Sequence, residues 1–158
     1  MNSNALVKQI RTNLLNTRKS VLKVDGHSMD PLIRNGDYII IVTIDHPISI
    51  GSVYLIQYYD QLLVHRCIQT ECCYICFKGD NSLRIERVSR DCIIGQATHY
   101  IRDNKRNIIP FVGNDIVNLS IAVNREWKLN RLDWQQVQES KSYLLLRTKL
   151  ELLSKNPK

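Results

Sequence analysis

Long apolar runs are missing from this sequence. The longest, such as Tyr38-Ile39-Ile40-Ile41-Val42, are strand-length, whereas about 20 apolar residues are needed to cross a bilayer as a helix. No integral membrane segment is therefore expected. A charged-then-apolar opening of the signal-peptide kind is also missing, since Asn2, Ser3 and Asn4 lead into a mixed polar stretch. There is no internal repeat, low-complexity tract or Gly/Ser linker, which leaves one domain with helical flanks. An even cysteine count is lacking as well. The chain has five cysteines, four of them crowded between Cys67 and Cys76. A secreted disulfide scaffold is thereby disfavoured, and a reducing, cytoplasmic location is expected.

What is present suits a globular protein. In 158 residues, 44% are hydrophobic and 23% charged, enough to bury a core and too apolar for disorder. The formal charge of +7 is spread from Lys8 to Lys158 rather than gathered in one block. Diffuse charge of this kind is a solvated surface. No nucleic-acid partner is expected, while weak contact with an anionic membrane surface stays compatible.

The centre reads as β-rich between helical ends. From Asn4 to about Leu15, Leu6, Val7, Ile10 and Leu14 recur at helical spacing, with Ser3 as the expected N-cap. Strands are expected at residues 20–24, 38–43, 53–58 and 62–69, with a hairpin partner at 74–78 and a last short strand around Cys92-Ile93-Ile94. Asp133 is expected to cap one helix running to about Ser154. Residues 103–130 give no clear pattern. The expected organisation is an N-terminal helix at 1–19 packed on the core, a β core at 20–102, and an extension at 103–158 that ends in a helix within the same domain.

Four features of the central region fall in one order: Gly26-His27-Ser28-Met29-Asp30-Pro31, Gly36-Asp37, Val64-His65-Arg66 and Lys78-Gly79-Asp80-Asn81. Each alone is ordinary, but together they suit acyl transfer. A serine hydroxyl attacks a carbonyl only when a base takes its proton. Ser28 follows a glycine-containing bend that can present the hydroxyl and its own N–H together, and such an N–H can stabilise an oxyanion. Histidine titrates near neutrality and is the natural base, and a carboxylate behind it would fix its tautomer.

This ordered set resembles the type I signal peptidase superfamily, which also contains the self-cleaving LexA-type repressors. Bacterial signal peptidases and LexA use lysine as base. The Val64-His65-Arg66 context is similar to the endoplasmic-reticulum and archaeal branch, which uses histidine. The resemblance covers about Val21 to Ala97 and closes on Ile93-Ile94-Gly95-Gln96. It implies a mainly β (α+β) fold with a coiled β-sheet core of the signal peptidase/LexA type and flanking helices. It further implies Ser28 as nucleophile, His65 as general base and Asp80 as the supporting acid. Gly26, Met29, Pro31 and Asp37 would shape and hold the nucleophile turn. Three positions depart from the family pattern. Glu86 stands where a further aspartate is usual, and is the alternative acid behind the base. Gly51-Ser52 replaces a Gly-Asp, and Gly26 replaces a serine whose hydroxyl assists the oxyanion.

Weaker signals are read as structural. Cys73-Tyr74-Ile75-Cys76 has zinc-knuckle spacing, with Cys67 and Cys92 as further ligands, but residues three apart on a strand face opposite ways. Buried reduced thiols are expected, and no metal or cofactor. His27 is expected to face solvent or substrate, and His46 and His99 to be surface residues without partners. Trp127 and Trp134 are expected to anchor helices rather than form a nucleic-acid or membrane face. The expected activity is that of a soluble serine endopeptidase, acting on a peptide or protein precursor in leader or signal-type removal. The alternative is a catalytically inactive peptide-binding or assembly module on the same fold.

Overall fold

The computed structural model describes residues 3–155. Helix α1 spans Ser3–Thr17, and the Ser3 side chain, expected as its cap, lies outside the described residues. Val7, Ile10 and Leu14 form the buried stripe that the spacing predicts. Eight strands follow: β1 (Lys19–Lys23), β2 (Tyr38–Val42), β3 (Val53–Tyr58), β4 (Gln61–Thr70), β5 (Ile75–Lys78), β6 (Glu86–Val88), β7 (Ile93–Arg102) and β8 (Lys105–Ile108). Three helices close the chain: α2 (Asn114–Asn130), α3 (Trp134–Glu139) and α4 (Lys141–Lys155).

All strand pairs are antiparallel, in the order β1-β2-β7-β3-β4-β5-β6, with β8 beside the second half of β7. The sheet is curled into a half-barrel, the mainly β, α+β architecture expected from the sequence. Its curl follows from irregular registers. The β2–β7 pairing slips between Ile40 and Ile41, the β3–β7 pairing between Leu55 and Ile56, and the β4–β5 pairing between Cys67 and Gln69. Each bulge bends its strand and increases the local twist. Helix α1 packs into the curl, and Gly95 of β7 marks how closely. A β-carbon there would lie 2.5 Å from Ile41 Cγ2 and 3.4 Å from Leu14 Cδ1.

Two short strands escape the sequence reading. β6 is three residues long and carries Glu86 and Arg87, and β8 is Lys105-Arg106-Asn107-Ile108, so neither offers an apolar run. Cys92 sits in a single 3₁₀ turn, not a strand, and β7 runs well past Ala97 to Arg102.

The expected C-terminal helix is two helices. Asp133 caps α3 in a full capping box with Gln136, as its position suggests. The chain then turns extended at Ser140, whose hydroxyl accepts from the Tyr143 N–H at 3.3 Å. A second N-cap inside the apolar pattern divides it. Helices α2 and α4 pack together through Ile116, Val117 and Val123 on one side and Tyr143, Leu146 and Leu150 on the other. Lys149 pairs with Asp115 at 2.7 Å across them.

Among the described residues no helix is long and apolar enough to cross a membrane. Trp127 is half-buried against the core, and Trp134 packs edge-on against Tyr143 with centroids 5.6 Å apart. Two histidines differ from expectation. His46 is exposed but bonds Gln96 Oε1 at 3.0 Å, and His99 is half-buried beside Thr98 and Arg106.

Candidate active site

The central residues of the site come from β4. Successive residues on a strand point to opposite sides, and His65 and Arg66 use this to reach different partners. His65, 3% exposed, holds Ser28 Oγ at 3.0 Å through Nε2 and Glu86 Oε2 at 2.8 Å through Nδ1. Arg66, 1% exposed, donates from Nε and Nη2 to both oxygens of Asp80 at 2.8 and 2.7 Å. Its Nη1 donates to the carbonyls of Gly51 at 2.7 Å and Pro110 at 3.3 Å.

The acid behind the histidine is therefore Glu86, while Asp80 binds the neighbouring arginine. Register explains the choice. Arg66 faces Lys78 across the β4–β5 pairing, so His65 lies beside Gly79. A β-carbon on Gly79 would sit 3.0 Å from His65 Nε2 and 2.6 Å from the Ser28 carbonyl. With no side chain there, the imidazole reaches past the end of β5 to Glu86 on β6. Any larger residue there would press on the imidazole and on the backbone of the Ser28 turn.

Ser28 is half-buried in a turn outside the sheet, and the loop after β5 holds it. The Asn81 N–H donates to the Ser28 carbonyl at 2.7 Å, and Asn81 Nδ2 donates to the His27 carbonyl at 3.1 Å. The Asp80 N–H points at Met29 Sδ at 3.4 Å. Tyr143 of α4 donates its hydroxyl to Asn81 Oδ1 at 2.8 Å, and Asn124 of α2 donates to the Leu83 carbonyl at 2.6 Å. The C-terminal helices thus brace the loop from behind. Neither tyrosine nor asparagine stands out in the sequence, because their roles depend on where the helices pack.

The far side of the Ser28 turn is held by Asp37. Its carboxylate accepts from the Arg34 N–H at 2.7 Å and from Arg102 Nε and Nη2 at 2.9 and 2.7 Å, while Arg102 also donates to the Leu32 carbonyl. Gly26 has φ +111° and donates its N–H to Asn35 Oδ1, a backbone shape that favours glycine. Met29 and Pro31 are buried beneath the turn. His27 is exposed and bonds Asp30 Oδ2 at 3.1 Å, away from Ser28 Oγ. Beside Ser28 a cleft of about 200 Å³ opens between residues 22–26 and 62–64, walled by Leu22, Val24, Met29, Leu62 and by Leu6 of α1.

Lys78 is the unforeseen charge at the site. It is 1% exposed, and its ammonium donates to the Gly79 carbonyl at 3.2 Å. Burial pulls its pKa down to about 8, partly offset by the charges of Asp80 and Glu86. The cysteines of the zinc-like spacing do not converge: Cys67 and Cys76 are buried and Cys73 is exposed. Among the described residues no group of three or more potential ligands could hold a metal.

Two predictions follow from these burials. Asp80→Asn leaves the Arg66 charge buried without a counter-ion and should cost about 3–5 kcal/mol of stability. Glu86→Gln, which keeps an acceptor for the imidazole, should cost no more than about 1 kcal/mol. Urea unfolding checks this, and equal losses would contradict the assignment of the two carboxylates. Lys78 binds a proton more weakly when folded than when unfolded. Its burial therefore makes stability rise with pH between about 8 and 10.5 and stay flat below, by on the order of 3 kcal/mol. Lys78→Met should raise the Tm at pH 7 and flatten that rise. Parallel Tm–pH curves for the two proteins would refute it.

Known proteins bear on this geometry in one way. No curated protein matches the sequence. A family profile described as Peptidase S24-like matches residues 6–98, which is more than half of the chain and includes Ser28, His65, Asp80 and Glu86. That match supports the superfamily of signal peptidases and LexA-type proteins that the motifs resemble, and a function of the serine peptidase type. The chain belongs to the Peptidase S24-like family.

Proposed function

We infer that the protein is a serine endopeptidase in which Ser28 attacks the scissile carbonyl, His65 takes its proton and Glu86 holds His65. The observation that carries this reading is the line of contacts from Ser28 Oγ to His65 Nε2 at 3.0 Å and from His65 Nδ1 to Glu86 Oε2 at 2.8 Å. With Nδ1 protonated and donating to Glu86, Nε2 is the free base facing the hydroxyl. Attack moves the serine proton to Nε2, and the Glu86 carboxylate stabilises the imidazolium. The same proton then goes to the leaving amine. Water, activated by the freed Nε2, releases the acyl group from Ser28.

The Ser28 N–H takes no acceptor among the described residues and is the donor for the oxyanion. A donor in this position is worth about 3–4 kcal/mol in the transition state. Gly26 supplies no hydroxyl, so the oxyanion rests on backbone donors. The Val64-His65-Arg66 context allies the site with the Ser/His branch of the superfamily. Asp80 acts at one remove: it neutralises Arg66 and fixes the loop that carries Asn81.

The substrate is a peptide or protein precursor from which a leader or signal-type segment is removed. An extended peptide fits the cleft between residues 22–26 and 62–64, where main-chain bonds supply affinity. The small volume beside Ser28 favours small side chains next to the scissile bond.

The test is cleavage of a mixed peptide library followed by mass spectrometry. Wild type should cleave, and Ser28→Ala and His65→Ala should each reduce the rate by at least about 1,000-fold with unchanged far-ultraviolet dichroism. Cleavage by Ser28→Ala at the wild-type rate would overturn the mechanism. Peptide binding with no cleavage by any form would mean a binding module instead.

A further inference from the structure

The turn between β4 and β5 carries chemistry that the serine site does not use. It is closed by the Glu71 N–H donating to the Tyr74 carbonyl at 2.9 Å. Within it Cys72 and Cys73 are both exposed free thiols, with their sulfurs 3.4 Å apart. Neighbours in an extended strand turn their side chains to opposite faces, but this turn brings both to one place. A cavity of about 470 Å³ lies against them, lined also by Pro47, Ile48, Tyr74 and Arg90. The Arg90 guanidinium is exposed and takes no acceptor among the described residues.

The other three cysteines are poor competitors. Cys67 and Cys76 are buried, and burial raises both thiols, Cys67 to about 12. Cys92 is half-buried against Ser89 Oγ at 3.4 Å. Thiol–disulfide chemistry runs through exposed thiolates, so reactivity concentrates at the pair.

We propose that Cys72 and Cys73 form a vicinal dithiol site that reduces a small carboxylate-bearing disulfide and closes to a Cys72–Cys73 disulfide. One cysteine thiolate attacks a sulfur of the small disulfide, breaking its S–S bond and expelling one small thiolate. The second cysteine thiolate then attacks the protein sulfur of the mixed disulfide and expels the other. Two electrons pass from the protein to the small disulfide, and the two cysteine protons end on the two small thiols. Arg90 holds a carboxylate of the entering molecule in the cavity.

Adjacent α-carbons lie about 3.8 Å apart across a trans peptide, short of the roughly 4.4–6.8 Å usual for a disulfide. The closed form is therefore strained and easily reduced, so an excess of the small disulfide drives closure and the small thiols reverse it. None of this depends on the proposed peptidase activity.

The reduced, full-length native chain tests it, incubated with oxidised glutathione and in parallel with cystamine, which has no carboxylates. Intact mass and peptide mapping follow the products. Wild type should lose two hydrogens between Cys72 and Cys73, keep no adduct, and recover with dithiothreitol. Cys72→Ser and Cys73→Ser should each retain one glutathionyl group on the remaining cysteine. Arg90→Ala should slow the glutathione reaction roughly three- to tenfold without slowing that of cystamine. A lasting glutathionyl adduct on wild type, reaction at Cys92 ahead of the pair, or no effect of Arg90→Ala would overturn the proposal.

Discussion

A buried guanidinium has five N–H donors and no acceptor, and every donor it leaves unpaired is costly. Arg66 pairs four of the five, through a bidentate bond to Asp80 and the carbonyls of Gly51 and Pro110. Those bonds join strand β4, the loop before β3, the segment after β8 and the loop after β5. Asp80 then cannot drift, and the next residue, Asn81, is fixed where its N–H meets the Ser28 carbonyl. A turn that belongs to no strand is in this way tied to the residue next to His65. One arginine thus links the strand that carries the imidazole to the turn that carries the hydroxyl.

The two carboxylates near β4 divide their work by register rather than by chemistry. Asp80 follows Gly79 in the loop and meets Arg66, whereas Glu86 lies one strand further on and meets His65 across the gap that Gly79 leaves. Beside Arg66 and the two carboxylates, Lys78 adds a fourth buried charge that neither carboxylate fully compensates, since its pKa still falls. Burial of so many ionisable groups opposes stability. The opposing contribution comes from the two apolar clusters on either side of the sheet and from α1, whose Val7, Ile10 and Leu14 fill the curl.

Much of this was legible in the residues. The β-branched run at 38–43 and the apolar run at 53–58 identify their strands, and the Leu6–Leu14 spacing identifies α1. The motif order alone singles out Ser28 and His65. Other parts were hidden for physical reasons. β6 and β8 are short and charged, so tertiary pairing alone makes them strands. Ser140 interrupts an apolar periodicity that runs on through it, and only its hydroxyl bond to the Tyr143 N–H reveals the break. The choice between Asp80 and Glu86 depends on strand register, which local sequence does not encode. Asn124 and Tyr143 matter only because α2 and α4 dock behind the loop, a tertiary contact that neither helix's own periodicity encodes.

The central claim is that Ser28 is a nucleophile made reactive by a buried, carboxylate-backed imidazole. Covalent labelling with a fluorophosphonate probe, read by peptide mapping, tests it most directly and needs no knowledge of the substrate. The account predicts a phosphonyl group on Ser28 alone, formed rapidly in wild type and lost in His65→Gln. Labelling that spares Ser28, or that proceeds equally well without the imidazole, would contradict it.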